Sequence, residues 1–401
     1  MKKITALLLV VAMLLSCVGC TASSPEETIA PEEITIPAEF AEDLEGISIG
    51  YVSTEELLYA DKFSIHYLED DFILLCTYTA DYLLANRILA VPEGGIIPSD
   101  LPSDILIVDT PTSNVMLASS PMMSLSNALG KVDAVKLTAT ATWYIDNVND
   151  AIADGSMIDV GKYSTPDYEL ILANMPDFAI FSTMIEEISS TVSTQLTELG
   201  INFFCDRSPN EPEALGRTEW LKFLGVLYGE YDLACELFDK QVAIVDGIAE
   251  NMESIADEDK KTVLFFYVIS SGSIYVRNED DYLSNAIAVA GGEGIFTTDG
   301  TPGSSSIIVT PEVFYTLGVD ADVIIYNYSN GGYPESVQDI IDSRDLEILK
   351  DFKAYETGDI WATSRDFYQV TDTIGQVIGD IHTAIYDEDA GDELTYLNRL
   401  K

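Results

Sequence analysis

Short apolar runs separated by acidic and turn-forming residues fill the early part of the chain. Phe63–Leu68, Phe72–Cys76 and Tyr82–Val91 are such runs, and the acidic triplet at 69–71 divides the first two. Runs of about four to eight residues bounded in this way are typical of β-strands. The pattern predicts an antiparallel, β-rich appendage over residues 47–108.

After Pro111 the pattern changes to buried strands that alternate with helices. The predicted strands are Val115–Ala118, Ala134–Leu137, Phe178–Phe181, Ile201–Phe204, Val263–Val268, Ala321–Tyr326 and Ile360–Ala362. Alternation of this kind is typical of parallel sheets covered by helices on their faces. We therefore predict an α/β fold with two Rossmann-like lobes, at residues 109–231 and 253–401.

A long helical stretch from Thr218 to Met252, interrupted at Gly229, lies between the two predicted lobes. Its second part, residues 232–252, has apolar residues at helical spacing and would be about 30 Å long. A single backbone helix of this length joins the lobes rigidly. In open parallel sheets, ligands bind beyond the carboxyl ends of the strands, so we expect the ligand in the cleft between the lobes.

The N-terminus has the pattern of a secretion signal. Lys2 and Lys3 precede an uncharged, almost wholly apolar run from Ile4 to Leu15, which is shorter than the roughly 20 residues that a membrane-spanning helix needs. A cysteine at the end of such a run resembles the bacterial lipoprotein signal. We predict a signal peptide at 1–19 and lipidation of Cys20, with Cys17 as the alternative.

An acidic segment at residues 20–46 follows the signal. It is rich in Ser, Pro and Glu and has no basic residue. This composition is typical of a solvated, flexible linker. The chain is therefore predicted to be extracytoplasmic, lipid-anchored to the outer face of the bacterial cytoplasmic membrane and tethered at a distance from it.

Charge excludes several classes of partner. The chain of 401 residues has 20 Lys and Arg against 68 Asp and Glu, a formal net charge of −48. Phosphate backbones and anionic lipid head groups would repel such a surface. We predict no nucleic-acid partner, and contact with the membrane through the N-terminal lipid only.

Candidate chemistry in the body of the chain is sparse. The two histidines, His66 and His382, fall in different predicted parts of the fold, so no metal site is predicted. Cys76, Cys205 and Cys235 are expected to be buried thiols, and a Cys205–Cys235 disulfide stays open. The motifs of serine hydrolases, zinc proteases and phosphate-binding loops are missing, so we predict neither enzymatic activity nor a cofactor.

Several phrases in order along the chain resemble one family. They are Asp159-Val160-Gly161 leading to the Pro-Asp-strand run at 166–180, Leu199-Gly200-Ile201, the segment 216–220 that reads Gly-Arg-Thr-Glu-Trp, and the segment 290–296 that reads Ala-Gly-Gly-Glu-Gly-Ile-Phe. Together, over residues 109–395, they resemble the class III substrate-binding proteins of ABC importers. That family captures ferric siderophores, haem and cobalamin.

The resemblance implies a function and partners. The chain would capture a metal chelate and deliver it to an ABC permease dimer with its ATPase; the alternative is a surface lipoprotein that uses the same fold for adhesion or ligand sequestration. The family docks through one carboxylate on each lobe, and these correspond by motif position to Glu169 and Glu312. Charge pairs suit this task because they set register and encounter rate.

Ligand contacts are expected from the loops that face the cleft. The candidates are Trp143, Tyr144, Arg207, Tyr275, Arg277, Trp361, Arg365 and Tyr368. Aromatic side chains form broad walls for flat chelates, and arginine pairs with carboxylate or catecholate oxygens in fork geometry. The cargo stays open among a ferric siderophore, haem and cobalamin.

Overall fold

The computed structural model describes residues 36–140, 142–187, 190–297, 305–328, 333–387 and 389–401. The predicted signal peptide, its cysteines Cys17 and Cys20, and the tether up to residue 35 lie outside these ranges. Within them, no helix is both long enough and apolar enough to cross a membrane.

The predicted β-rich appendage is a five-stranded sheet. Its strands are Tyr51–Thr54 (β1), Phe63–Leu68 (β2), Ile73–Tyr78 (β3), Leu84–Val91 (β4) and Ile105–Asp109 (β5), in the order β1-β2-β3-β4-β5. Strands β1 to β4 are antiparallel, as expected. Strand β5 is parallel to β4, so the prediction of a purely antiparallel segment was wrong for this strand. The cause is the connection at 92–104, which crosses over where a hairpin would turn back.

The end of the predicted tether is folded. Asp43 and Leu44 are buried, and Leu44 packs with Leu68, Leu74 and neighbouring side chains on one face of the appendage sheet. The prediction of a flexible linker is therefore corrected for residues 36–46. The segment is acidic overall, but its few apolar side chains are sufficient to cover this face of the appendage sheet.

The first lobe is a parallel sheet covered by helices. Its strands are Val115–Ala118 (β6), Val135–Thr138 (β7), Ile158–Asp159 (β8), Phe178–Ser182 (β11) and Phe203–Asp206 (β12), in the order β12-β11-β6-β7-β8, with a small hairpin of Gly161–Lys162 (β9) and Thr165–Pro166 (β10). Its helices are Ser120–Ala128 (α1), Asp146–Asp154 (α2), Tyr168–Asn174 (α3), Met184–Glu187 (α4), Ser190–Glu198 (α5) and Ala214–Tyr228 (α6).

The second lobe also has the predicted α/β architecture. Its strands are Thr262–Val268 (β13), Ile274–Arg277 (β14), Glu293–Ile295 (β15), Ser306–Val309 (β16), Val323–Tyr326 (β17), Ile360–Thr363 (β18) and Leu397–Arg399 (β19). Strands β13, β17 and β18 are parallel, whereas β14, β16 and β19 pair antiparallel. The sheet is therefore mixed where a parallel one was predicted, because the short turn at 269–273 folds β14 back on β13.

Helices join and cover the lobes. Those of the second half are Tyr231–Met252 (α7), Tyr282–Val289 (α8), Pro311–Gly318 (α9), Val337–Arg344 (α10), Lys353–Thr357 (α11) and Ile374–Tyr386 (α12). Helix α7 is the predicted backbone helix and packs against α6 of the first lobe and α12 of the second. One apolar cluster extends through the appendage, α6 and the inner side of both lobes. The lobes and the appendage therefore share a core.

Candidate functional site

A cavity of about 850 Å³ lies between the two lobes. Side chains that follow β6, β7, β11 and β12 line one wall, and side chains that follow β17 and β18 line the other. These are carboxyl ends of parallel strands, the place where α/β sheets bind ligands. Hydroxyl-bearing side chains are frequent in the lining, which includes Ser119, Ser120, Thr140, Thr142, Tyr144, Tyr163, Ser164, Ser182, Tyr328 and Tyr368.

The β9–β10 hairpin supplies part of the first wall. Gly161 has φ +93°, a left-handed backbone conformation that favours glycine, and its N–H donates to the Asp159 carboxylate at 2.9 Å. Lys162 at the end of β9 and Tyr163 in the turn that follows both line the cavity. The Tyr163 hydroxyl donates to the sulfur of Met184, 3.6 Å away, which also lines the cavity.

The second wall has a buried support beneath its aromatic surface. The Tyr368 side chain is 44% exposed, while its hydroxyl bonds the Asn327 side-chain oxygen. Buried Arg277 donates from Nη2 to both groups, at 3.1 Å each. Burial would lower the pKa of Arg277, but the Tyr368 hydroxyl and the Asp281 carboxylate raise it above the ordinary value. Arg277 therefore stays charged and holds Tyr368 at the cavity surface.

The cavity lining exposes positive side chains and buries its one negative side chain among the described residues. Among the described lining residues, the charged side chains are Lys162, Arg365 and Asp206. Lys162 and Arg365 are exposed and come from opposite lobes. Asp206 is fully buried and accepts bonds from the Ser119 hydroxyl at 2.5 Å and the Ser208 N–H at 2.8 Å. The surface open to a ligand is therefore cationic, although the whole chain is strongly anionic.

One side chain links the two walls. The Gln369 side-chain oxygen accepts the Tyr144 N–H at 2.7 Å, and its amide nitrogen donates to the Thr142 carbonyl at 3.0 Å. Gln369 follows β18 in the second lobe, whereas Thr142 and Tyr144 follow β7 in the first. All three residues line the cavity. This pair of bonds sets the spacing of the two walls at one side of the cleft.

Three of the eight ligand candidates from the sequence meet in this cavity: Tyr144, Arg365 and Tyr368. Two others do not line it but are connected to lining residues. Arg277 donates to the Tyr368 hydroxyl, and Trp143, buried in the shared apolar cluster, lies in the sequence between the lining residues Thr142 and Tyr144.

The remaining candidates have other surroundings. Arg207 forms a bidentate ion pair with Glu186, in which both hydrogen bonds are 2.9 Å long. Tyr275 stacks on Tyr267 with ring centroids 4.7 Å apart. Trp361 is fully buried, and the Arg399 guanidinium lies 4.6 Å from its ring centroid. These contacts belong to the lobes and not to the lining of the cavity.

Sequence reasoning did not select Lys162, Tyr163 or Gln369. The first two lie inside the Asp159–Ile180 segment, which was used only as a family signature, and its Gly161 was the one local signal of a turn. Gln369 had no local signal, because its partners are 225 and 227 residues away in the sequence.

Comparison with known proteins agrees with this architecture. Residues 120–366 match the family model described as periplasmic binding protein. The chain belongs to the periplasmic binding protein family. An uncharacterized lipoprotein of Methanocaldococcus jannaschii is 24% identical over 84% of this chain and 83% of its own length.

Two solved structures show the same fold. A periplasmic heme binding protein from Pseudomonas aeruginosa aligns with a TM-score of 0.54 and 15% identity, covering 72% of this chain and 98% of that one. An ABC-type Fe³⁺-hydroxamate transport system protein from Saccharomonospora viridis aligns with a TM-score of 0.54 and 19% identity, covering 69% and 94%. The resemblance to class III substrate-binding proteins of ABC importers is confirmed.

The two carboxylates assigned to docking by family motif lie in the first turns of helices. Glu169 is the second residue of α3, and the side chain of the preceding cap residue Asp167 accepts the N–H groups of Glu169 and Leu170. Glu312 is the second residue of α9, and its own N–H and the Thr310 hydroxyl lower its pKa below the ordinary value. Exposed apolar side chains surround both positions in the sequence: Leu170, Leu172 and Met175 in the first lobe, and Ile308, Val313 and Tyr315 in the second.

The cysteines of the described residues are free thiols. Cys76 and Cys205 are buried and Cys235 is partly buried, so the structure shows no Cys205–Cys235 disulfide. Burial raises the pKa of Cys76 well above its ordinary value. Cys76 lies beside His66 and Asp43, and one donor atom from each of the three could meet at a metal ion. The sequence-based search compared His66 only with His382 and did not consider this cluster.

Proposed function

We propose that this member of the periplasmic binding protein family is the extracytoplasmic binding lipoprotein of an ABC importer. It captures a metal chelate in the inter-lobe cavity and presents it to a permease dimer, which an ATPase drives. The observation that carries the proposal is the cationic, hydroxyl-rich cavity at the strand ends of both lobes. No catalytic step is part of this function, and the protein contacts the membrane through its N-terminal lipid.

The charges of the cavity favour a chelate with anionic oxygens. Lys162 and Arg365 approach from opposite lobes, so that a ligand with negative groups at two places can engage both. Arginine pairs with carboxylate or catecholate oxygens through two parallel bonds. A ferric siderophore or haem carries such groups, and cobalamin stays the third candidate. The structural neighbours include a heme binding protein and an Fe³⁺-hydroxamate transport protein.

Aromatic side chains complete the binding surface. Tyr144 and Tyr368 are 43% and 44% exposed in the cavity and can stack on a flat chelate. Arg277 contributes by holding Tyr368. We therefore assign ligand contact to Tyr144, Arg365 and Tyr368 among the original candidates, and add Lys162 and Tyr163.

Tryptophan fluorescence tests the capture of a chelate. Haem, cobalamin and a set of ferric siderophores absorb light and quench nearby indoles, and Trp143 lies between two residues that line the cavity. We expect saturable quenching by one class of ligand. A Trp143→Phe variant should lose most of the signal and keep the affinity, measured by calorimetry. Absence of saturable quenching by all three classes would contradict the chelate proposal.

Docking to a permease is tested separately. Glu169 and Glu312 are exposed and lie outside the cavity lining, so a Glu169→Ala/Glu312→Ala double variant should keep ligand affinity and lose uptake by cells. The matched control is Glu198→Ala/Glu250→Ala, which removes two exposed carboxylates from other helices. Unchanged uptake in the first variant would favour the alternative of a surface lipoprotein that sequesters its ligand without an importer.

A further inference from the structure

The appendage contains a compact cluster of polar side chains with the donor types of a metal site. One donor atom each from Asp43, His66 and Cys76 lies within 4.8 Å of the other two. The three residues are at most 2% exposed and come from the segment before β1, from β2 and from β3. Three separate segments of the chain therefore present oxygen, nitrogen and sulfur donors to one buried point.

The imidazole of His66 is held in a fixed orientation. Its Nδ1 lies 2.8 Å from the Thr54 hydroxyl, which lies 2.9 Å from the Tyr51 hydroxyl. Its Nε2 lies 2.9 Å from the Asp43 carboxylate. A histidine that binds a metal through one ring nitrogen almost always has a hydrogen-bonding partner on the other. Thr54 occupies the position of that partner.

Two hydroxyls complete the surroundings. The Ser64 hydroxyl donates to Asp43 Oδ2 at 3.1 Å and lies 2.8 Å from His66 Nε2. The Tyr78 hydroxyl donates to the same carboxylate oxygen. A zinc ion in a closed site takes four ligands in tetrahedral arrangement. Either hydroxyl is placed to supply the fourth after Asp43, His66 and Cys76.

Charge balance favours a cation at this point. The Asp43 carboxylate is buried and lies 2.9 Å from His66 Nε2, and a buried negative charge without a positive partner is costly. Arg87 is nearby, but it pairs with Asp104 at 2.7 Å and donates to the main-chain oxygens of Asp43 and Glu45. A divalent cation with one carboxylate and one thiolate makes the cluster neutral.

A second cavity borders the hydrogen-bonding partners of the cluster. Its volume is about 290 Å³, and Thr54, Ser64 and Tyr78 form part of its wall. Glu39, Glu55 and Asp61 also line it. Carboxylates at an entrance raise the local concentration of cations. This cavity is therefore suited to cations, in contrast to the one between the lobes.

We propose that Asp43, His66 and Cys76 bind one divalent cation of the zinc type. The mixed nitrogen, sulfur and oxygen donor set suits a borderline-soft ion. On binding, the Cys76 thiol releases its proton to water and a sulfur–metal bond forms. The ion then fastens the segment around Asp43 to strands β2 and β3. The site lies outside the inter-lobe cavity and does not depend on the function proposed for it.

Cobalt substitution tests the site directly. The reference protein is the full chain in detergent with Cys17→Ser/Cys20→Ser, without a histidine tag, stripped with a chelator and titrated with Co²⁺ alone. We expect one Co²⁺ per chain and a thiolate-to-cobalt charge-transfer band. Cys76→Ser should abolish the band, whereas Cys205→Ser, which changes another buried thiol, should keep it. No band in the reference protein, or a band that survives Cys76→Ser, would overturn the proposal.

A milder variant tests the site even if the Cys76→Ser protein fails to fold. Thr54→Val keeps every metal ligand and removes the orienting hydroxyl of His66. Loss of such a partner lowers metal affinity by about 10–100-fold. In competition with a chromophoric chelator, Zn²⁺ should bind Thr54→Val more weakly by this factor, and Ser48→Ala, which removes an exposed hydroxyl bonded to Asp100, should be unchanged. Equal Zn²⁺ affinity in all three proteins would contradict the site.

Discussion

The first lobe has two junctions that are built in opposite ways. At its junction with the appendage, the buried Glu219 carboxylate accepts the N–H groups of Leu58, Tyr59 and Ala60 at 2.8–3.1 Å. The Glu211 carboxylate likewise accepts the N–H groups of residues 61 and 62. At its junction with the second lobe, isolated side chains make the bonds, such as the Ser124 hydroxyl that donates to Asp372 at 2.5 Å.

Side-chain packing also differs between the two junctions of the first lobe. Phe63 of the appendage lies against Trp220 and Phe223 of α6, with ring centroids 4.7 and 5.7 Å apart. Between the lobes, a cavity of about 850 Å³ interrupts the contact. The appendage is thus a permanent part of the first lobe, whereas the cleft keeps its polar groups available. At the appendage, each buried carboxylate gathers several N–H donors, whereas the bonds between the lobes come from separate side chains beside a cavity that leaves space for a ligand.

The largest expected effect is at the rigid junction. Glu219→Ala leaves three N–H groups and the Lys222 ammonium, 2.9 Å from the carboxylate, without their acceptor. Removing one partner of a buried ion pair costs about 3–5 kcal/mol. We expect the free energy of unfolding, measured with urea, to fall by this amount, and amide exchange at residues 58–60 to accelerate.

The control for this change is Glu236→Ala. Glu236 pairs with Lys240 on the exposed face of α7, where solvent screens the pair, so its removal should change the free energy of unfolding little. If Glu219→Ala behaved like Glu236→Ala, the appendage would not be anchored as the structure indicates.

The next largest effect concerns the two cationic side chains that line the cavity between the lobes, Lys162 and Arg365. Lys162→Glu/Arg365→Glu should lower affinity for the anionic chelate that quenches Trp143 by about 100-fold or more, since each charge-assisted bond contributes about 1.5–3 kcal/mol. The free energy of unfolding should change little, because both side chains are exposed. Calorimetry and urea unfolding separate the two quantities.

A matched reversal shows whether position or net charge matters. Lys240→Glu/Lys350→Glu changes the total charge equally, on α7 and near α10, outside the cavity lining. It should leave chelate affinity within about twofold, because exposed charges beyond the Debye length of roughly 8 Å are screened. An equal loss in both variants would assign the effect to the overall charge.

The smallest expected effect is at the link between the cavity walls. Gln369→Ala removes both hydrogen bonds across the cleft, each worth about 0.5–1.5 kcal/mol. We expect a loss of about 1–2 kcal/mol in unfolding free energy and faster amide exchange at Tyr144. Gln338→Ala, which removes a bond to Asp342 on an exposed helix face, is the control. Unchanged exchange at Tyr144 would show that the link does not set the wall spacing.

Much of the fold was predictable because local patterns carry it. Strand β2 coincides with its predicted run Phe63–Leu68, and α7 begins within one residue of its predicted start. Strand direction was harder to predict: β5 and β14 depend on the course of a connecting loop, which hydrophobic pattern does not record. The cavity was predicted by position, but only Tyr144, Arg365 and Tyr368 of the ligand candidates line it.

The sequence by itself determined the α/β class, the two lobes, the backbone helix and the family, because periodicity and ordered motifs are properties of neighbouring residues. The tertiary structure decided which side chains meet. Gln369 reaches Tyr144 across 225 residues, and Asp43 reaches His66 and Cys76 from a segment whose composition indicated a linker. Such contacts arise from packing of distant segments around a shared core, and no local pattern encodes them.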